Sequence, residues 1–183
     1  LMKSTLLSFK CGSNNLSTFP AQLERCTKIT EIDLHNNNIS SLPEDAKDLT
    51  SLTSLNLSSN RFEFLPDLVN DWKNLATLEI NNNVLCTFPQ NLDNWSHLQH
   101  LSLDDNQLEE LPDSFRSLNN LQTLSCARNN IKTITNTSSL WIELTNVNFD
   151  DNELTLLPDH INKWNKLTHI SASNNKIVQL PKG

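Results

Sequence analysis

The sequence predicts an α/β repeat solenoid, with a parallel β-sheet on its concave face and short helical or 3₁₀ segments on its convex face. All seven prolines lie on one 23-residue grid, which begins at Pro20 and Pro43 and has a single gap, at Thr135. A fixed period of this length is typical of stacked coils. Asparagine stands six positions before every point of the grid: Asn14, Asn37, Asn60, Asn83, Asn106, Asn129, Asn152 and Asn175.

Each unit opens with a strand. The unit that starts at Leu52 reads L-x-x-L-x-L-x-x-N, so apolar and polar residues alternate around Leu55 and Leu57. Alternate residues of a strand point to opposite faces, which predicts that these leucines face the core and that their neighbours face outward. Successive strands are expected to pair in parallel. We number the units 1 to 8 and call each folded unit a coil; they start at residues 6, 29, 52, 75, 98, 121, 144 and 167.

The second half of each unit predicts the convex segment. After its asparagine, unit 3 places apolar residues at every third or fourth position, at Leu65, Val69 and Trp72. This spacing favours a short helical or 3₁₀ turn. Proline lacks an N–H and fixes φ, so Pro66 suits the start of that turn and not a paired strand. The tryptophans all share one grid position and are expected to fill the core: Trp72, Trp95, Trp141 and Trp164.

The asparagine column is expected to be a structural ladder. When a coil leaves its strand, backbone N–H and C=O groups turn into a dry interior and need hydrogen-bond partners. An asparagine side chain offers both an acceptor and donors. We therefore expect each asparagine to bond the backbone of its own coil and of the adjacent coil.

The motif L-x-x-L-x-L-x-x-N-x-L resembles the leucine-rich repeat, and the resemblance covers residues 6–181 with all eight units in register. It implies a right-handed horseshoe. The extension L-P-x-x-L-x-x-L-x-x-L is similar to the intracellular 23-residue class of Ras-binding scaffolds and of arrays linked to PP2C-type phosphatases. That likeness implies a protein-binding scaffold in intracellular signalling. The alternative is the regulatory or substrate-recruiting region of a larger enzyme such as a PP2C-type phosphatase.

The unbroken register predicts that residues 1–183 form a single array. Only five residues precede unit 1, and unit 8 is truncated just after its proline, so we expect the chain to be part of a longer protein. Cys11, Cys26 and Cys126 occupy core positions of the repeat, and Cys86 lies in a turn. Because their spacing suggests no pairing, an intracellular and specifically cytoplasmic location is favoured. No segment approaches the roughly 20 apolar residues of a membrane span.

The outward strand positions are the candidate partner-binding surface. They are small, polar and acidic, with seven carboxylates against Lys10 and Arg128. We expect this surface to dock another protein through a basic or polar patch, steered by charge. A merely solvated face is the alternative, since a net charge of −7 serves solubility in any case. The candidate residues are Glu31, Asp33, Glu79, His100, Asp104, Asp105, Arg128, Asp150 and Asp151.

No catalytic, cofactor or metal site is expected in this segment, and the acidic face disfavours nucleic acid as a partner. The outward pair His100 and His169 lie three strands apart, roughly 14 Å by strand spacing, which is too far to share a metal. With only Gly12 and Gly183 in the chain, there is no glycine-rich phosphate loop. We also expect no nucleophile, base and orienting group to come together.

Unit 6 departs from the pattern. It carries Thr135 in place of proline and Ser138 in place of a buried apolar residue. This predicts a looser convex segment over residues 134–140. Tolerated drift is one explanation, and a local bend, a contact site or a phosphorylation site is the other.

Overall fold

The computed structural model describes residues 5–134 and 140–181. Its strands form one eight-stranded parallel sheet in which spatial order follows chain order. Each strand pairs with the next in register, so that Ser8 faces Glu31 and Glu31 faces Ser54. The expected parallel stack is confirmed. The strands are β1 Ser8–Lys10, β2 Glu31–Asp33, β3 Ser54–Asn56, β4 Thr77–Glu79, β5 His100–Ser102, β6 Thr123–Ser125, β7 Asn146–Asn148 and β8 His169–Ser171.

Five convex segments of the described residues are 3₁₀ helices, in agreement with the short helical or 3₁₀ turn that the sequence predicts. Each begins directly after a grid proline, and in unit 1 the carbonyl oxygen of Pro20 accepts the first helical bond from Leu23 N at 3.0 Å. In unit 4, turns and not a 3₁₀ helix follow Pro89. The helices are Ala21–Arg25, Glu44–Asp48, Asp67–Asp71, Asp113–Ser117 and Asp159–Lys163.

The four tryptophans are buried, which confirms that they fill the core. Trp72, Trp95 and Trp141 also make a polar contact that the sequence pattern does not reveal. Their indole Nε1 groups donate to the backbone of the preceding coil: Trp72 to Ala46 O at 2.8 Å, Trp95 to Val69 O at 2.8 Å, and Trp141 to Phe115 O at 3.0 Å. These indoles therefore tie neighbouring coils together in addition to filling space.

The asparagine ladder forms as expected. Asn106 Nδ2 donates to two carbonyls of its own coil and to Ile80 O of the preceding coil, at 3.0 Å. Its Oδ1 accepts from Leu85 N of the preceding coil, also at 3.0 Å. Within the described residues, the side chain of the first asparagine, Asn14, bonds groups of its own coil, which are two carbonyl oxygens and Cys11 Sγ. The full set recurs at Asn37, Asn60, Asn83, Asn129, Asn152 and Asn175.

The residue before each ladder asparagine adopts a left-handed backbone conformation. These eight residues have φ between 52° and 57°, and none is glycine. Asparagine and aspartate tolerate this conformation better than other side chains do, so Arg128, at φ 54°, is unusual in this column. The predicted looseness of residues 134–140 stays a prediction, because residues 135–139 lie outside the described part of the chain.

Candidate functional site

The nine candidate residues lie in rows along the outward side of the sheet or directly after its strands. Glu31 and Asp33 flank the buried Ile32 in β2, whereas Glu79 ends β4 and His100 begins β5. The other five follow β5, β6 and β7: Asp104, Asp105, Arg128, Asp150 and Asp151. The register therefore divides the candidates into a group at coil 2 and a larger group over coils 4 to 7.

At coil 2, the charge of Glu31 is compensated within the chain. Lys10 Nζ lies 2.7 Å from Glu31 Oε1, and Ser8 Oγ donates to Oε2 at 2.8 Å. The bond from Lys10 lowers the pKa of the Glu31 carboxyl, and the bond to Glu31 raises the pKa of Lys10. Glu31 is therefore the acceptor of an exposed ion pair and contributes little net charge to a partner.

Asp33 belongs to an arrangement that the sequence analysis did not expect. Asp33 Oδ1 lies 2.7 Å from His35 Nδ1, and His35 Nε2 lies 3.3 Å from Ser13 Oγ. The His35 ring packs over Gly12, where an added Cβ would lie 2.2 Å from the ring. An acid, an imidazole and a hydroxyl thus do come together, contrary to expectation. The sequence pattern misses the set because it spans two coils.

This arrangement lacks the other parts of a hydrolase site. The backbone N–H groups of Ser13 and Asn14 already donate to His35 O and Asn36 O of the next coil, at 2.8 and 3.2 Å, so they cannot form an oxyanion hole. Ser13 Oγ also accepts a bond from Asn36 Nδ2 at 3.2 Å. Burial raises the pKa of Asp33, but the hydrogen bonds from His35 outweigh it and hold that pKa below its ordinary value. The set is an electrostatic surface contact.

Two of the candidate carboxylates also hold the backbone of the next coil. Asp104 Oδ1 accepts from Ser125 Oγ at 2.6 Å and from Ala127 N at 2.8 Å. Asp150 Oδ1 makes the same two contacts, with Ser171 Oγ and with a backbone N–H of coil 8, each at 2.6 Å. Ala127, which the pattern places among the outward residues, is buried in this contact. Asp104 and Asp150 are therefore structural as well as charged.

In coil 4, Asn81 occupies the position that Asp104 and Asp150 hold in coils 5 and 7, and its side chain also holds the backbone of the next coil. Its Oδ1 accepts from Ser102 Oγ and from Asp104 N, each at 2.8 Å. We call Asn81, Asp104 and Asp150 the strand-end row. The sequence does carry a signal for it, since each of the three precedes a strand serine by 21 residues.

Arg128 neutralises one of its two acidic neighbours. Its guanidinium binds Asp105 through two bonds, Nε to Oδ1 at 2.6 Å and Nη2 to Oδ2 at 2.7 Å. This bond lowers the pKa of Asp105 and raises that of Arg128. Asp151, on the other side of Arg128, instead accepts from Asn174 Nδ2 at 2.7 Å and is exposed.

The remaining candidates form an acidic surface over coils 4 to 7. Within the described residues, Glu79 and three aspartates have no cationic side chain in an ion pair with them. Glu79 accepts from Asn56 Nδ2 at 2.8 Å, and His100 beside it is exposed. Small residues open two troughs on the sheet, of about 370 Å³ over β4 to β6 and about 550 Å³ over β6 to β8. We define the acidic surface as Glu79, Asp104, Asp150 and Asp151.

The burial of the cysteine side chains agrees with the positions that the sequence predicts for them. Cys26 and Cys126 are buried, and burial raises the pKa of Cys126. Cys86 is an exposed free thiol. Across residues 5–134 and 140–181, no three His, Cys, Asp or Glu side chains converge as a metal would require. The same residues contain no helix with the length and apolar character needed to cross a membrane.

Comparison with known proteins identifies the repeat. Two family models of the leucine-rich repeat match residues 5–62 and 97–118. Among solved structures, a leucine-rich repeat protein of Leptospira interrogans is 24% identical over 97% of this chain, with a TM-score of 0.76. Internalin C2 of Listeria monocytogenes is 23% identical over 94%, with a TM-score of 0.84. No curated protein matches the chain.

A third structure is more similar in sequence. The leucine-rich repeat ectodomain of the plant receptor kinase GASSHO1/SCHENGEN3 from Arabidopsis thaliana, solved in complex with CASPARIAN STRIP INTEGRITY FACTOR 2, is 34% identical over 89% of this chain, with a TM-score of 0.78. This chain spans 51% of the Leptospira protein, 20% of the plant ectodomain and 73% of internalin C2.

The chain is a leucine-rich repeat protein, as both family models and the shared fold show. Leucine-rich repeats form a non-catalytic fold that generally binds other proteins. This segment therefore has the fold of a non-catalytic protein-interaction module.

Proposed function

We propose that this module docks a basic or polar surface of another protein on its acidic surface, as a scaffold in intracellular signalling. One observation carries the proposal: the carboxylates of Glu79, Asp104, Asp150 and Asp151 share one side of the sheet, and no cation of the described residues is paired to any of them. The plant ectodomain supports the general mode, because a similar stack of coils was solved with a partner bound.

Charge is the attraction that this surface offers. The side chains around the carboxylates are small and polar, among them Ser102, Thr123 and Ser125, so no aromatic anchor stands there. Such a surface raises the association rate of an oppositely charged partner, and the attraction weakens as salt screens the charges. Eight strands at about 4.8 Å spacing give a sheet about 34 Å wide, which is room for a small partner domain.

The intracellular location is part of the proposal. Cys11, Cys86 and Cys126 are free thiols, and Cys86 is exposed. Exposed free thiols are typical of a reducing compartment, whereas extracellular domains favour disulfides. The resemblance of the 23-residue unit to the intracellular class supports the same location.

The test must separate charge from structure. Alanine at Asp104 or Asp150 would remove the bonds that hold the next coil, so amide substitutions are the better choice. We expect the variant Glu79→Gln, Asp104→Asn, Asp150→Asn, Asp151→Asn to keep the wild-type unfolding midpoint. It should lose most of the basic proteins that the wild type captures from a cell extract, and the loss should shrink in high salt.

A convex-face variant with the same change in net charge is the matched control. Glu44→Gln, Asp67→Asn, Asp71→Asn and Asp159→Asn alter exposed carboxylates away from the sheet. We expect this variant to capture the same proteins as the wild type. Equal losses in both variants would show that only net charge matters, and no loss in the first variant would place binding on another surface.

A further inference from the structure

We propose that the flank of the coils carries a second protein-binding surface, which takes an extended peptide segment with an apolar residue next to a lysine or arginine. We define this flank surface as Phe64, Val84 and the groove beside them over coils 4 to 6. It lies in the segments that follow the ladder asparagines and is distinct from the acidic surface.

The first observation is two exposed apolar side chains at positions that are polar in the adjacent coils. Phe64 is the one phenylalanine outside the consensus apolar positions, and it is 56% exposed. Val84 is 38% exposed, at a position that holds Asn38, Arg61 and Gln107 in neighbouring coils. Neither side chain serves the core of the coil stack. Large apolar side chains that stay exposed outside the core are candidates for an interaction surface.

The second observation is a groove beside these side chains. It has a volume of about 630 Å³ and is lined by residues of coils 4, 5 and 6, with Cys86, Phe88 and Pro112 as its less polar members. Cys86 N donates to Glu63 O at 3.1 Å, so Phe64 lies beside the residue that follows Cys86 in the groove wall. The backbone of the exposed phenylalanine therefore adjoins the wall of the groove.

Local structure explains why a groove opens at this place. Backbone bonds cross the flank from Cys86 N to Glu63 O and from Lys132 N to Glu109 O, which tie coil 3 to coil 4 and coil 5 to coil 6. The groove spans the junction between coils 4 and 5, which lies between these two bonded pairs of coils. In coil 4 the chain after Pro89 also forms turns in place of the 3₁₀ helix found in its neighbours.

Charge selects the occupant. Glu63 and Glu110 are exposed, and neither is in an ion pair with any described residue. The cation that lines the groove, Lys132, is already bound to Glu109 at 2.6 Å. A peptide with a lysine or arginine beside its apolar residue would place the cation near Glu63 or Glu110 and the apolar group against Phe64. An acidic peptide would meet repulsion at both glutamates.

The experiment is a selection from a displayed library of random 12-residue peptides against the full chain. We expect the enriched peptides to combine an apolar residue with lysine or arginine. Their affinity should fall about 10-fold or more with Phe64→Ser, as expected for an aromatic anchor, and several-fold with Glu63→Gln plus Glu110→Gln. Ile142→Ser, which removes a comparably exposed apolar side chain elsewhere, is the matched control and should change nothing.

Two further readouts make the assignment specific. A bound peptide should slow alkylation of the Cys86 thiol by iodoacetamide, measured by mass spectrometry of the whole protein. Binding should persist in the variant that carries amides at all four positions of the acidic surface, so failure of this proposal and failure of the proposed function are distinguishable.

Other results would overturn the proposal. Enriched peptides that bind the Phe64→Ser variant normally, or that carry no cationic residue, would show that the flank surface is not their site or that charge does not select them. Concentration-dependent self-association of the wild type that Phe64→Ser abolishes in sedimentation would show that a second copy of the chain occupies the surface.

Discussion

Two hydrogen-bonded rows run along this stack of coils, one buried and one on the surface. The asparagine ladder repeats the same set of bonds from coil 2 to coil 8, whereas among the described residues the full pair of strand-end bonds is made at Asn81, Asp104 and Asp150, and Ser58 makes the backbone bond alone. The buried row is regular because every coil has the same buried backbone groups to satisfy. The surface row is irregular because water can replace it, which leaves its residues available for a second role as charges.

The largest effect is expected from breaking the buried row. Asn106→Leu leaves Leu85 N without its acceptor and removes one hydrogen bond from Ile80 O and from each of two carbonyls of its own coil. An unsatisfied buried group costs roughly 1–3 kcal/mol, so we expect a loss of several kcal/mol in the free energy of unfolding. Chemical denaturation followed by circular dichroism would measure it.

Asn14→Leu is the control for that substitution. Asn14 is exposed, and the described bonds of its side chain lie within its own coil, to Cys11 O at 3.2 Å, Gly12 O at 3.0 Å and Cys11 Sγ at 3.5 Å. We expect it to cost less than half as much as Asn106→Leu. Equal costs for the two variants would mean that bonds between coils contribute nothing beyond those within a coil.

A smaller effect is expected from the surface row. Asp104→Ala removes the acceptor of Ser125 Oγ and Ala127 N, which are partly buried bonds, so we expect a loss of about 1–2 kcal/mol. Asp104→Asn keeps an oxygen in the same place and should retain most of the stability, as Asn81 does naturally in coil 4. If both substitutions cost the same, the negative charge and not the hydrogen bonds would be the stabilising factor.

The smallest effect concerns the pair of Asp105 and Arg128. The bond from Arg128 holds the pKa of Asp105 below the ordinary 3.8. Its stabilisation is therefore complete above that value and is lost as the pH falls through the lowered pKa. Because the Arg128 side chain is 53% exposed, we expect less than about 1 kcal/mol. Urea unfolding at pH 6 should show this difference between wild type and Asp105→Asn, and the difference should vanish near pH 2.

A double-mutant cycle with Arg128→Gln checks the assignment to this ion pair. The coupling energy between the two substitutions should fall in 1 M salt, since screening weakens an exposed pair. If the pH dependence survives in the Arg128→Gln variant, it arises from another titratable group.

The fold was predictable from the sequence because the same structural requirements recur in every repeat. Buried backbone and core volume recur in every coil, so Asn106 and Trp72 stand on a grid that a reader of the sequence can see. The acidic surface was predictable only in part. The roles of Asp104 and Glu31 depend on which neighbour each carboxylate meets in the adjacent coil, and two residues 21 or 23 positions apart come together only after the chain has coiled.

The indole hydrogen bonds allow the fluorescence of individual tryptophans to report on individual junctions between coils. Three tryptophans each place Nε1 on a carbonyl of the preceding coil, so each reports on one particular junction: coils 2 and 3, 3 and 4, or 5 and 6. When a junction opens, water reaches the indole and its fluorescence emission shifts to longer wavelength. Variants that lack Trp164 and keep only one of Trp72, Trp95 and Trp141 would each report on a single junction. The order in which their spectra change on heating would show where this stack of coils first comes apart.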